Sequence, residues 1–199
     1  MAYFVTIGRS YGSGGRYIAK KLSEELGIPF YDNDILVKVS ENFGYNVEYV
    51  KEHAEKRDGP LSFIGLSGTL STLTSNQKLA LAQFETIERI AKQGESCIFV
   101  GRCADFVLRD YPNKISIYIS APMEERIKRA TTYYGLSPNK AEATLRKMDK
   151  KRASYYNYYT NYEWGMASNY DICINSTIGI DKSVELIKKI IEIKGLVKD

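Results

Sequence analysis

Two rhythms of apolar residues alternate along this chain. Short runs rich in β-branched and aromatic residues predict five strands: Tyr3–Ile7, Ile28–Tyr31, Ser96–Val100 (SCIFV), Lys114–Ser120 (KISIYIS) and Tyr170–Asn175 (YDICIN). Between them the apolar positions return every three or four residues, as a helix buried on one face requires. In Tyr17–Leu26, Ile18, Leu22 and Leu26 fall on one face, and Lys20, Lys21, Glu24 and Glu25 fall on the other. Gly27 stops that helix and Asp32 is placed to cap the next. Further helices are predicted as one or two segments over 34–57, and over Gln77–Gln93, Ala104–Arg109, Pro122–Tyr134, Pro138–Ala153 and Asp181–Ile193. Residues 58–76 (DGPLSFIGLSGTLSTLTSN) read as a loop covering a site. Short apolar strands alternating with helices predict an α/β chain whose parallel sheet is covered on both faces.

Length and composition narrow the chemistry. A chain of 199 residues with 44% hydrophobic content suits one domain, with room for a small insertion. His53 is the one histidine, so neither a multi-histidine metal site nor a histidine-driven relay organises the chemistry. Cys97, Cys103 and Cys173 lack CxxC spacing and fit a reducing compartment. No apolar run reaches the roughly 18 residues of a membrane span. The first residues, MAYFVTIGRS, do not read as a secretory leader. The expected location is the cytoplasm, away from membranes.

Charge is concentrated in one place. The formal charge is +4, yet residues 121–160 carry nine basic side chains against four acids, a local surplus of five. Clustered arginine and lysine of this kind focus potential on phosphates. Of the 16 tyrosines, Tyr155, Tyr156, Tyr158, Tyr159 and Tyr162 come directly after the last of these basic residues, Arg152. Flat rings with polar tips suit base stacking, an interface, or packing of this segment onto the body.

A glycine-rich turn separates the first strand from the first helix. It reads GRSYGSGGR over residues 8–16. Strand, glycine turn and helix together aim backbone N–H groups and the positive helix end at a phosphate. The usual phosphate-binding pattern is GxxxxGK followed by Ser or Thr. With Gly14 as the last loop glycine, Gly15 stands at the lysine position; with Gly15 as the last, Arg16 stands there and the loop is longer. The lysine is absent in either register.

The segment FVTIGRSYGSGGRYIAKKLSEELGIPFYDNDIL resembles the bacterial cytidylate-kinase-like branch of the P-loop nucleoside-monophosphate kinases. The likeness continues in order through Val100-Gly101-Arg102 with Asp105, through the Glu124-Glu125-Arg126 helix, and through Arg146, Asp149 and Arg152. It spans nearly the whole chain. It implies a three-layer P-loop kinase fold, with a five-stranded parallel sheet in the order 2-3-1-4-5 and a small helical lid. One domain would cover 1–199, with an acceptor-binding insertion near 34–76 and the lid near 130–165. The implied reaction is ATP-dependent phosphoryl transfer to a nucleoside monophosphate resembling CMP or dCMP, with Mg²⁺ as cofactor. The alternatives are a kinase of another small molecule on the same scaffold, or a nucleotide-binding protein weakened by loss of its lysine.

Within that resemblance Gly12, Ser13, Gly14, Gly15 and Arg16 would cradle the donor phosphates, with Arg16 replacing the lysine and Ser13 offering a hydroxyl to Mg²⁺. Asp32, Arg102 and Asp105 would hold the acceptor, Arg102 through its phosphate and Asp105 through a base amino group. Arg126, Arg129, Arg146 and Arg152 would reach the transferred phosphoryl. Arg146, Asp149 and Arg152 lie three residues apart in turn, so Asp149 is expected to orient one of these arginines. Nucleotides are the expected partners. Nucleic acid ranks below them, because the basic segment is compact and the glycine loop would go unused. A homodimer is left open.

Overall fold

A computed structural model describes residues 2–56 and 73–196. The chain runs β1 (Phe4–Arg9), α1 (Gly15–Leu26), β2 (Phe30–Tyr31), α2 (Asp34–Phe43), α3 (Val47–His53), α4 (Ser75–Lys92), β3 (Cys97–Val100), α5 (Ala104–Val107), β4 (Lys114–Ser120), α6 (Met123–Tyr133), α7 (Pro138–Thr160), β5 (Ile172–Asn175) and α8 (Ile180–Ile193). All strand pairs are parallel and the order is β2-β3-β1-β4-β5, as the resemblance implied.

The strand alternation decides which side chain enters which layer. Val5, Ile7, Ile98 and Val100 point to one face and pack on Ile18 and Leu22 of α1 and Ile187 and Ile191 of α8. Phe4, Cys97 and Phe99 point to the other and meet Ile35 of α2, Leu79 and Ile87 of α4, and Leu108. β1 is buried over Phe4–Ile7, which places its C-terminal end and the following loop at the centre of the sheet edge. Open parallel sheets bind ligands beyond the carboxyl ends of their strands.

Some boundaries differ from the sequence expectation. α7 continues seven residues past Ala153 to Thr160. Tyr155 and Tyr156 are buried there in a cluster with Ala80 of α4 and Cys103, flanked by Phe84 and Phe106. The tyrosine-rich stretch is therefore helical and packs α7 onto the body. Asp32 does not cap α2; Asn33 occupies that position, and Asp32 turns toward arginines. α4 starts at Ser75 behind a reciprocal cap between Thr74 and Gln77. α5 ends two residues early, at Val107. Most of the 58–76 loop lies outside the described residues. Among those described, no helix is long and apolar enough to cross a membrane.

Candidate active site

The backbone that leads from β1 to α1 is held by three arginines. Arg152 Nη1 donates to the Arg9 carbonyl at 3.1 Å, Arg126 Nε to the Tyr11 carbonyl at 2.8 Å, and Arg129 Nη1 to the Ser13 carbonyl at 2.8 Å. Alternate carbonyls of the loop are thus tied to the α6–α7 segment. The Tyr11 N–H donates to Asp149 Oδ1 at 2.8 Å. Gly12 and Gly14 have φ of 79° and 84°, a left-handed turn that side chains resist. α1 then begins with no side-chain cap and no acid in its first turn. Its positive end is left for an outside anion.

This geometry redistributes the predicted arginines. Arg126, Arg129 and Arg152 brace the loop backbone. Arg146 faces solvent and pairs with Glu142, one helical turn back, at 2.7 Å. Asp149 orients neither Arg146 nor Arg152; its Oδ2 pairs with Arg126 of α6. The spacing within α7 was permissive, but the nearest unmatched charge lay on the other helix.

In front of the loop is a cavity of about 360 Å³. Arg9, Arg16, Arg102 and Arg152 line it, with Asp32 and Glu55 as the acids and Lys51 and Lys151 at the wall. Buried Asp32 accepts from Arg16 Nε at 2.7 Å and lies 3.5 Å from Arg9 Nη2. Glu55 lies 3.2 Å from Arg102 Nη1 and 4.0 Å from Lys151 Nζ. Six cations therefore share two carboxylates. Burial pushes the Arg9 guanidinium down to about 9, and Arg152 pushes the same way, while Asp32 and Glu55 only partly compensate. Burial works to raise Glu55, yet Arg102, Arg152, Arg9 and Lys151 outweigh it and hold the carboxyl below its usual range. The Nε atoms of Arg102 and Arg152 are buried and have no acceptor among the described residues. Arg102 and Cys103 both sit at positive φ, 58° and 56°, a costly backbone turn that holds Arg102 at the end of β3. The site has the charge and the open donors to receive an anion.

Asp105 is not at this wall. Its carboxylate is buried and accepts from Tyr156 Oη at 2.6 Å, and burial raises its pKa. It braces α5 against α7 and lines a small recess beside the cavity together with Arg9, Glu55, Arg102 and Arg152. Arg16 is at the rim, its side chain 64% exposed. Ser13 is fully buried, its Oγ has no partner among the described residues, and Ser13 does not line the cavity. With Asp32 taken by two arginines, and no group of three His, Cys, Asp or Glu side chains placed for a cation among the described residues, the side chains do not fit a protein-held Mg²⁺ site.

A second cavity, of about 550 Å³, lies across the loop. Tyr17, Tyr133, Tyr134, Lys21 and Arg129 line it, and it shares Gly14 and Tyr134 with the first. Tyr17 and Tyr134 stack with centroids 6.5 Å apart and planes 6° from parallel. Of the tyrosines over 155–162, Tyr155 and Tyr156 are core, which is the packing alternative of the sequence reading, and Tyr162 is exposed; Tyr17, Tyr133 and Tyr134 are the rings that line a cavity at the loop. Arg9 and Glu55 were also not marked by sequence pattern: Arg9 ends a strand, and Glu55 follows a polar helix. The one available signal for Arg9 was its place directly before the glycine loop.

Comparison with known proteins bears on the family and the fold. Residues 4–178 match the sequence model of the cytidylate kinase-like family. A cytidylate kinase of Methanobrevibacter smithii is 26% identical over 174 residues, covering 86% of this chain and 88% of that protein. The crystal structure of an uncharacterized protein from Eubacterium ventriosum is 31% identical, covers 96% of this chain and 98% of its own, and superposes with a TM-score of 0.74. Shikimate kinase from Bacteroides thetaiotaomicron shares the fold at 15% identity and a TM-score of 0.55, covering 96% of this chain and 98% of its own. With its parallel sheet, its glycine loop and a matched span of 4–178, the chain belongs to the cytidylate kinase-like family.

Proposed function

We propose that this protein transfers the terminal phosphoryl group of ATP to a nucleoside monophosphate, CMP or dCMP. The observation that carries the reading is the meeting of two cavities at one phosphate loop, one lined by tyrosines and one by arginines, with Gly14 and Tyr134 common to both. A nucleotide donor needs a flat apolar surface for its base and N–H groups for its phosphates. Tyr17, Tyr133 and Tyr134 offer the first, and the amides of Gly12 to Arg16 at the start of α1 offer the second. The acceptor phosphate needs a fixed fork of donors, which Arg102 supplies from its strained turn with Glu55 bracing it. Asp32, gripped by two arginines, fixes the cavity between them.

Such a reaction asks little covalent chemistry of a protein. It asks for alignment, exclusion of water and positive charge around the moving group. Arg126, Arg129 and Arg152 act by positioning, since each holds a loop carbonyl. The turn between α6 and α7 covers the donor as a lid, while Tyr155 and Tyr156 anchor the far end of α7. Mg²⁺ would neutralise charge on the donor's phosphates, and its ligands would have to come from those phosphates and water, since the described side chains offer it no site.

Calorimetric titration tests the two-cavity arrangement. ATP and CMP each bind once, and saturating one leaves the site of the other available. One-for-one displacement of ATP by CMP would contradict it.

A further inference from the structure

The loop departs from GxxxxGK at two positions, and the two departures touch. Counting back from Gly14 puts Arg9 where the pattern has its first glycine, and Gly15 where it has lysine. A Cβ built on Gly15 would stand 2.7 Å from Arg9 Cβ and 3.2 Å from Arg9 Cγ, closer than two side chains can share. The Arg9 side chain therefore leaves the loop at the place where a residue-15 side chain would leave it. Its far end lies along Gly101, where a Cβ would overlap Nη1. The guanidinium ends in the cavity lined by Gly14, Gly15 and Arg102, beside Asp32. Its side chain is only 12% exposed, whereas Arg16 lies out at the rim.

We propose that Arg9 supplies the phosphate-contacting cation of this loop, the glycine and the cation of the usual pattern having exchanged places between positions 9 and 15. The assignment deepens the phosphotransferase reading and rests on it for turnover, though not for binding. It also explains Gly15: with Arg9 in place, no side chain fits there. A guanidinium grips two phosphate oxygens where an ammonium meets them as a point charge, so the exchange keeps the charge and changes its geometry.

The test compares wild type, Arg9→Ala, Arg9→Lys and the double variant Arg9→Gly with Gly15→Lys, which restores the usual pattern. ATP and adenosine affinities are measured by calorimetry, turnover by ADP formation, and folding by thermal melting. Arg9→Ala is expected to lower ATP affinity about tenfold, the scale of one charge-assisted hydrogen bond, and to leave adenosine affinity unchanged. Its kcat is expected to fall about 10²-fold or more, the cost of removing a donor aimed at developing charge. The double variant is expected to recover most of the ATP affinity. Arg9→Ala within about twofold of wild type in ATP affinity, or a double variant no better than Arg9→Ala, would overturn the exchange. Should Arg9→Ala fail to fold, Arg9→Lys and the double variant carry the same comparison. A wild type that binds ATP but phosphorylates no acceptor contradicts the phosphotransferase reading alone, since the affinity comparison still decides the role of Arg9.

Discussion

Arg126 and Asp149 grip the backbone of one residue through the two peptides that flank it: Arg126 Nε donates to the Tyr11 carbonyl and Asp149 Oδ1 accepts the Tyr11 N–H, each at 2.8 Å, while the two side chains pair with each other. The loop is thus pinned at its midpoint by two helices at once. Asp149→Ala removes the partner of an arginine that is only 8% exposed. The expected loss is about 3 kcal/mol, at the lower end for breaking a buried pair because Asp149 itself is partly exposed. For a chain of this length that corresponds to a fall in Tm of roughly 6–12 °C. Asp149→Asn keeps an acceptor for Tyr11 and is expected to lose less. Thermal melting of both variants checks the order, and an equal loss would assign the effect to charge alone.

The cavity's surplus of cations predicts that simple anions stabilise the fold. Pyrophosphate at about 100 times its Kd should add about 2.7 kcal/mol, provided it binds only the native state. That is a rise of roughly 5–10 °C in Tm. The rise should shrink as sodium chloride is increased, because screening weakens partly exposed charges. A thermal shift series in pyrophosphate at two salt concentrations measures it.

Glu55 gives a pH dependence with a definite sign. Its folded-state pKa is lowered by Arg102, Arg152, Arg9 and Lys151 against the opposing effect of burial. A carboxyl with a lowered folded value stabilises the native state above its unfolded value and loses that contribution as pH falls through the folded one. Glu55→Gln should therefore cost about 1–3 kcal/mol at pH 7, the range for a buried group that keeps a hydrogen bond but loses its charge. The gap between variant and wild type should close at pH values below the usual carboxylate range. Denaturant unfolding at a series of pH values from 7 to 3 reads both.

Asp105, in the recess beside the arginine cavity, supplies a control. Tyr156→Phe leaves its buried carboxylate without the 2.6 Å bond. The expected cost is about 1–3 kcal/mol of stability. KM for CMP should stay within about twofold of wild type, whereas removing a charged contact to a substrate costs more than tenfold. A selective rise in KM would return Asp105 to the acceptor site.

The layers of the fold were legible because strand and helix periods are local. Val5 and Ile7 against Phe4, and Ile18 with Leu22, announce their faces in a few residues. Strand order came from the likeness of ordered motifs and not from periodicity. The site was legible only in part, because its key pairings are long-range. Asp32 looked like a helix cap until Arg9 and Arg16 were brought to it from the other side of the loop. Asp149 looked committed to its own helix until α6 folded back beside it. The run of tyrosines after Ala153 looked like a break because its composition changes, yet Tyr155 and Tyr159 keep the helical spacing that packs them toward α4.

The central claim is phosphoryl transfer between two nucleotides, and initial rates of ADP formation test it most directly. Purified protein is given ATP, Mg²⁺ and one acceptor at a time from a panel of nucleoside monophosphates, shikimate and simple sugars. The account predicts ADP release that depends on CMP or dCMP and yields the corresponding diphosphate. ADP release with shikimate or a sugar alone, or no release with any acceptor from a protein that binds ATP, would contradict it.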